Sequence, residues 1–495
     1  RYIAVTGVQT CALPISVVYI DGIRANNGGG FSGLVGAGGS GTPSRLDDLN
    51  PEAIERVEIL KGAAAATLFG SEASNGVIQI FTKRGSVSQA PTFTLSIEQG
   101  LSQVPERRFT DQTNFVQTAE QATILSGIHG EDVQLYEMLN HNAITDMFET
   151  GRTQTYSASV SGGTSSITYY AAGRFTAEDG PLTTPSGLTG LASDDVLQGQ
   201  GNVNIGIFPT ETSRIRVTAQ YSEVDFSTHQ NANNIFGTLA VASGSQPNRV
   251  TEQSEYGGIL FASLEETLQQ RVDQETQRFS GSVNANFNPL SPLSLDATFG
   301  VDFTSTFGEE VNPFGWNVDG VVGSNTEGRR AIADTRNLEL TLDTKALLDN
   351  EIGDNITSSL TVGSQGFITR RTIASVEGVA FPGPGFNIVN AGSQFDREET
   401  FREIVQIGLF AQEQVGFNDY LFATAGVRLD ANSAFGSDFS TVTYPKVSLS
   451  VVPSDAAFWA GPVGPLSSLR LRAAIGQSGL QPGAFDALTT FGPLA

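Results

Sequence analysis

RFSGSVNANFNPLSPLSLDATFGVDF, Arg278 to Phe303, decides the fold. Its first ten residues put Phe279, Gly281, Val283, Ala285 and Phe287 on one side of an extended chain. Arg278, Ser280, Ser282, Asn284 and Asn286 fall on the other. After the break at Asn288–Pro292 the alternation resumes, with Leu295, Ala297, Phe299, Val301 and Phe303 against Asp296, Thr298 and Asp302. A period of two over such lengths means strands with two different faces. The short Pro-containing break makes the pair a hairpin.

The same texture runs from about residue 92 onward. Further strands are expected at 92–99, 155–162, 167–175, 202–208, 214–221, 338–347, 356–367, 404–415, 420–430, 446–452 and 469–476, about 13 in all. Their connections alternate short and long. Short ones are Gly163–Ser166, Pro209–Ser213, Asn288–Pro292, Leu348–Asn355 and Gly416–Asp419. Long ones are 101–154, 177–201, 222–277, 304–337, 368–403 and 431–445; the connection 453–468 breaks the rhythm. Tight turns at one end and long loops at the other suit a transmembrane antiparallel β-barrel of the outer-membrane kind. A soluble sandwich has no reason to gather its long loops at one end.

Bulk composition is consistent with this. The chain has 495 residues, 55 Gly and 31 Phe but only 28 Lys plus Arg, as strands joined by turns require. A net charge of −24 argues against nucleic acid as a partner. Mean hydropathy is −0.09 and no apolar run reaches the length of a membrane helix, which leaves a barrel open. The single cysteine, Cys11, lies in VTGVQTCALPI (5–15), which looks like the in-frame translation of a sequencing-adapter oligonucleotide. Residues 1–16 are therefore set aside. Without them the chain has no disulfide, thiolate metal site or Cys nucleophile.

Residues 17–86 differ in texture and read as a small α/β unit. VVYIDGI is a strand ending in a turn at Asp21-Gly22. Asn50 is a good N-cap for a short helix beginning at Pro51, with Glu52 in its first turn. Arg56–Lys61 and Val77–Thr82 alternate as strands, the second led by Asn75-Gly76. Gly62, Ala63 to Ala66 and Gly70 allow close backbone packing. Three linked blocks, VVYIDGI, LNPEAIERVEILKG and AAAATLFGSEASNGVIQIFTKRG, stand here in order. Val18 to Gly85 thereby resembles the C-terminal half of the plug domain of TonB-dependent outer-membrane receptors, and within them the SusC/RagA-like subgroup. The motif positions are Asp21, Gly22, Ile54, Glu55, Val57, Glu58, Lys61, Gly62, Gly70, Asn75 and Gly76. Gly62 stands where an acidic residue is common in the family, and Phe69 where Tyr is common. In the barrel half, 145–175 and 469–485 are similar to family segments, although Met147 replaces a usual Trp.

The resemblance implies a mainly β, incomplete barrel over 87–495, closed by a plug over 17–86, with the chain a fragment cut at both ends. It implies active import of an oligosaccharide or peptide across the bacterial outer membrane. TonB, through a box upstream of residue 17, and a SusD-like surface lipoprotein would be its partners, with outer-membrane lipid around it. A siderophore cargo is the alternative within the wider family. Charged plug residues of such proteins pair with the barrel wall, a role that Glu55, Arg56, Glu58, Lys61, Lys83 and Arg84 fit. The rivals from other classes are a passive porin or autotransporter-like barrel, against which the plug blocks argue, and a soluble secreted β-rich binding protein.

Chemistry is sparse. His129, His141 and His229 lie in expected long loops without ligand spacing. No phosphate loop, nucleophile elbow or EF-hand pattern occurs, and Asp396, Glu398 and Glu399 read as a solvated loop. No cofactor, metal or enzymatic activity is expected. Phe314, Trp316, Phe381 and Phe386 sit on Pro/Gly turns, where they could stack on a ligand or pack within their loops.

Overall fold

The computed structural model describes residues 17–26, 45–60, 69, 76–105, 112–141, 148–182, 194–228, 237–246, 258–259, 262–315, 327–386, 388–418, 420–434, 441–456, 459 and 468–477. Two sheets organise the chain. The small one orders its strands β2-β1-β4-β3, from β1 (Val17–Ile20), β2 (Ile23–Ala25), β3 (Ile54–Leu60) and β4 (Val77–Thr82). β1 runs parallel to β4, and the other pairs are antiparallel. A 3-10 turn over Pro51–Ala53 takes the place of the expected helix, and the Asn50 side chain caps it by accepting from the Glu52 N–H at 3.0 Å.

The large sheet begins with β5 (Thr92–Ser102). The connection that follows carries a two-stranded ribbon, β6 (Gln112–Phe115) and β7 (Met138–His141), around α1 (Ala119–His129). Thr118 and Gln121 form a capping box that starts this helix. The wall then continues through β8 (Gly151–Gly163), β9 (Ile167–Asp179), β10 (Asp195–Thr210) and β11 (Ser213–Thr228). Two short helices, α2 (Thr238–Gly244) and α3 (Leu264–Leu268), precede β12 (Arg271–Leu290) and β13 (Leu293–Asn312). Next come β14 (Arg329–Ile352), β15 (Ile356–Val379), β16 (Gln394–Phe417), β17 (Leu421–Asn432), β18 (Val442–Val451) and β19 (Leu471–Gly476). These 13 strands are joined antiparallel, each to its neighbour in sequence, from β5 and β8 through to β19.

Each of the thirteen expected strands has its counterpart, but the strands are longer than the apolar alternation suggests. β14, β15 and β16 each run 24 residues. Much of the expected loops 304–337 and 368–403 is therefore strand. Asp396, Glu398 and Glu399, read as a solvated loop, lie on β16. Beyond the apolar band both faces of a strand meet water, so the alternation that betrays it disappears while the hydrogen-bond ladder goes on.

The wall is inverted relative to a soluble protein. Ser280, Ser282, Thr298, Asp302, Thr304, Thr306 and Thr341 are buried, whereas Phe279, Val283, Phe287, Phe299, Leu342, Ile407 and Leu409 are exposed. Hydroxyls pair across the inner face, as at Thr218–Ser282 (2.7 Å) and Thr276–Thr306 (3.1 Å). An apolar outer face and a polar inner face are what a wall between hydrocarbon and water demands. No helix among the described residues is long and apolar enough to cross a membrane, so the strands carry any crossing.

Phe299 lies in the middle of the outward apolar run of β13 and is 55% exposed. Phe299→Arg should cost about 2–4 kcal/mol in folding into lipid vesicles, whereas Phe299→Leu should cost under about 1 kcal/mol, by denaturant titration. Equal tolerance of the two would contradict a lipid-facing outer surface.

Candidate functional site

The small sheet sits against the concave, polar face of the wall, and the sequence motif explains how it holds its shape. Asp21 and Gly22 both have positive φ (47° and 89°), the requirement of a two-residue hairpin turn between β1 and β2. The Asp21 carboxylate accepts from the Thr82 N–H (3.1 Å) and from the Thr82 hydroxyl (2.5 Å), which ties this turn to the end of β4. Asn204 of the wall donates to the same hydroxyl at 3.3 Å. Gly76 takes φ 100°, a conformation suited to glycine, just before β4. Ile54 packs on the core of Val18, Ile20, Ala25, Leu49 and Ile80. Val57 is half exposed. Lys61, Gly62, Ala63 to Ala66, Gly70 and Asn75, like residues 1–16, Met147, His229 and Trp316, lie outside the described residues.

Of the charges expected to meet the wall, Glu55 and Arg84 stand within electrostatic reach of Arg216 on β11, while Arg56 and Glu58 turn to each other. Arg56 pairs with Glu58 (2.7 Å) and Glu55 (3.7 Å) on its own strand, about half exposed, and its guanidinium lies 3.9 Å from the centre of the Phe81 ring. Alternate residues of one strand edge are close neighbours, so Arg56 and Glu58 satisfy one another.

Wall contact is made instead by Arg24, Asn26 and the segment 45–50, whose partners are remote in sequence. Arg278 of β12 is the centre. Its Nε and Nη2 donate to Oδ1 and Oδ2 of Asp302 on β13, at 2.9 and 3.1 Å. Its Nη1 donates to the Arg45 carbonyl at 2.5 Å and stands 3.7 Å from Asp48. Arg278 and Asp302 are 3% and 1% exposed, so the pair is desolvated. Asp302 Oδ2 also accepts from the Asn26 N–H at 2.8 Å. One wall ion pair thus grips the inner unit at two points. Around it, Gln198 and Gln200 of β10 donate to the Asp47 carbonyl (2.9 and 3.2 Å), and Tyr170 of β9 donates to the Glu52 carbonyl (3.3 Å). On the far side the Arg24 N–H donates to Thr341 Oγ1 (3.1 Å), and its guanidinium approaches Glu339 (3.8 Å). Tyr19 packs edge-on to Phe367 of β15. Sequence reading missed Arg24, Arg45, Arg278, Asp302 and Glu339. The only local signal is a charge on the polar side of an alternating strand.

Nearer the long-loop end, Phe314 and Phe386 are exposed, and Phe381 is 4% exposed and packed over Gly328. Phe381 packs against the neighbouring connection that leads into β14 rather than presenting a ring. His129 ends α1 and His141 ends β7. No group of three or more metal-ligating side chains occurs among the described residues.

Asp48 differs from Asp302. Its Oδ2 is buried without a hydrogen-bond partner, and Arg45 (3.6 Å) and Arg278 (3.7 Å) reach it only at a distance. Burial pushes its carboxyl above the usual range, against the pull of those two arginines. Removing a bonded partner of a buried charge costs about 3–5 kcal/mol; at Asp48 the loss of charge also relieves the anion's own burial, which offsets part of that cost. Asp302→Asn should therefore loosen the inner unit by about that amount, and Asp48→Asn by less, read as hydrogen-exchange protection of β1 and β4. A raised carboxylate pKa means that the docked state holds the proton more tightly. Protection should thus rise as pH falls from neutral through the raised Asp48 value, and Asp48→Asn should remove that dependence. A larger loss in Asp48→Asn than in Asp302→Asn would overturn this assignment.

Comparison with known proteins matches two stretches of the chain. Residues 221–494 match the family model "TonB dependent receptor-like, beta-barrel", more than half of the chain, and residues 1–77 match "TonB-dependent Receptor Plug Domain". TonB-dependent receptor P26 of Formosa agariphila is 24% identical over 474 residues, covering 92% of this chain and 46% of that protein. TonB-dependent receptor SusC of Bacteroides thetaiotaomicron is 35% identical over 91 residues, 18% of this chain and 8% of that protein. Among solved structures, the RagAB peptide transporter aligns with a TM-score of 0.71 at 17% identity, over 94% of this chain and 54% of that one. The ferric enterobactin receptor of Pseudomonas aeruginosa aligns with a TM-score of 0.50 at 16% identity, over 95% and 55%. The chain spans about half the length of P26 and of these structures.

Proposed function

Since the chain belongs to the TonB-dependent receptors, we propose that it forms the plugged wall of an importer that moves an oligosaccharide or a peptide across the bacterial outer membrane. The observation that carries this reading is the buried Arg278–Asp302 pair clamping the Asn26 and Arg45 backbone inside the polar face. A pore for passive diffusion has no use for such a fastening. Parting it exposes buried charges at a cost of about 3–5 kcal/mol, more than diffusing solute supplies. An energised pull on the inner unit meets that cost, and TonB is the partner that gives the family its name.

The cargo class rests on likeness. The fold is nearer to the RagAB peptide transporter (TM-score 0.71) than to the ferric enterobactin receptor (0.50) at nearly equal coverage. The local identity to SusC favours the subgroup in which a surface lipoprotein covers the long loops. The inner face offers Thr, Ser, Asn and Gln hydroxyls and amides, groups that hydrogen-bond a sugar or a peptide backbone. No cofactor enters this reading.

Uptake of labelled oligosaccharides, oligopeptides and a ferric siderophore into cells bearing the receptor tests it. Uptake of one of the first two classes should occur and should fall to background when tonB is deleted or a protonophore is added. Uptake of the siderophore alone would favour the other branch of the family. Uptake unaffected by loss of TonB would refute active import.

A further inference from the structure

One row of the inner wall lies just beyond the reach of the small sheet. Strand register places Asp302, Glu339, Thr369 and Ile404 side by side across β13 to β16. In this row Asp302 and Glu339 are engaged by Asn26 and Arg24. The next inward-facing row toward the long loops is Thr304, Asn337, Arg371 and Arg402, again in direct register. Thr304 and Asn337 are 0% and 7% exposed, yet Thr304 Oγ1 and Asn337 Nδ2 have no hydrogen-bond partner. Burying such groups unsatisfied costs free energy. Arg371 and Arg402 stand directly opposite one another across the β15–β16 pair. Like charges in that position repel. Arg402 is exposed, so the row opens to water at that end.

We infer that Thr304, Asn337, Arg371 and Arg402 form a subsite for a carboxylate or another planar oxyanion on the cargo. Every side chain in the row can donate a hydrogen bond, and two carry positive charge. An oxyanion bridging the guanidiniums relieves their repulsion and accepts in the bidentate manner that suits arginine. Thr304 and Asn337 are covered and back the site, and Arg402 is the group open to the cargo. The row borders the contacts made by Arg24 and Asn26, so a bound anion lies beside the groups that fasten the inner unit. This inference rests on the import reading and narrows its cargo to acidic molecules, whether sugar acids or acidic peptides.

The test is calorimetric binding to the purified receptor of tetragalacturonate and of a tetraglutamate peptide, each beside its methyl ester, which keeps the skeleton and removes the charge. At least one acid should bind ten times or more tightly than its ester. Arg402→Gln should weaken that acid about tenfold without altering the ester, and Arg402→Lys should restore part of the loss. Unchanged thermal stability of the variants separates lost recognition from lost folding. Which acid binds distinguishes the two sources of carboxylate. Binding of neither acid, equal binding of acid and ester, or an unaltered affinity in Arg402→Gln would overturn the subsite. TonB-independent uptake with charge-selective binding intact would instead defeat the import reading alone.

Discussion

A wall between hydrocarbon and water must satisfy every backbone N–H and C=O within itself and present opposite chemistry on its two sides. Everything else in this structure depends on that constraint. Between its two end strands, β5 and β19, the ladder of 13 strands meets the first demand. The period-2 alternation meets the second, with Phe279, Phe299 and Leu342 outside and Ser280, Thr298 and Thr341 inside. Because the inner face is polar, it can hold a small domain by hydrogen bonds and ion pairs rather than by an apolar core. A contact of that kind can be parted and remade without exposing a large apolar surface.

The fastening concentrates on one desolvated pair. Arg278 and Asp302 neutralise each other and then use their remaining capacity on Arg45 and Asn26 backbone groups. A guanidinium has donors in a fixed fork, so it can serve a carboxylate and a carbonyl together. Asp48, held only by longer contacts, adds a pH-sensitive element without adding much grip. The inner unit also has internal bonds of its own, among them the Asp21 clamp on Thr82. The bonds that hold the inner unit together and those that attach it to the wall are thus largely different sets.

How much of this was legible in the sequence follows from the range of the forces. Alternation is local, so all thirteen wall strands could be found, and the Asp21-Gly22 turn and the Asn50 cap were legible for the same reason. Strand ends were not, because β14 to β16 continue past the apolar band, where both faces are polar. The fastening was hidden as well. Arg24 meets Thr341 across 317 residues and Arg278 meets Arg45 across 233, and no spacing rule reaches so far. Charges that looked suited to the wall, such as Arg56 and Glu58, found nearer partners.

The central claim is the division of the wall into a lipid side and a water side. Its most direct test is a scan of single bromolipid-quenched fluorophores, attached through cysteine, at successive positions from 295 to 303 on β13 in lipid vesicles. The account predicts strong quenching at 295, 297, 299, 301 and 303 and little at the positions between them. Uniform quenching, or none at all, would contradict it.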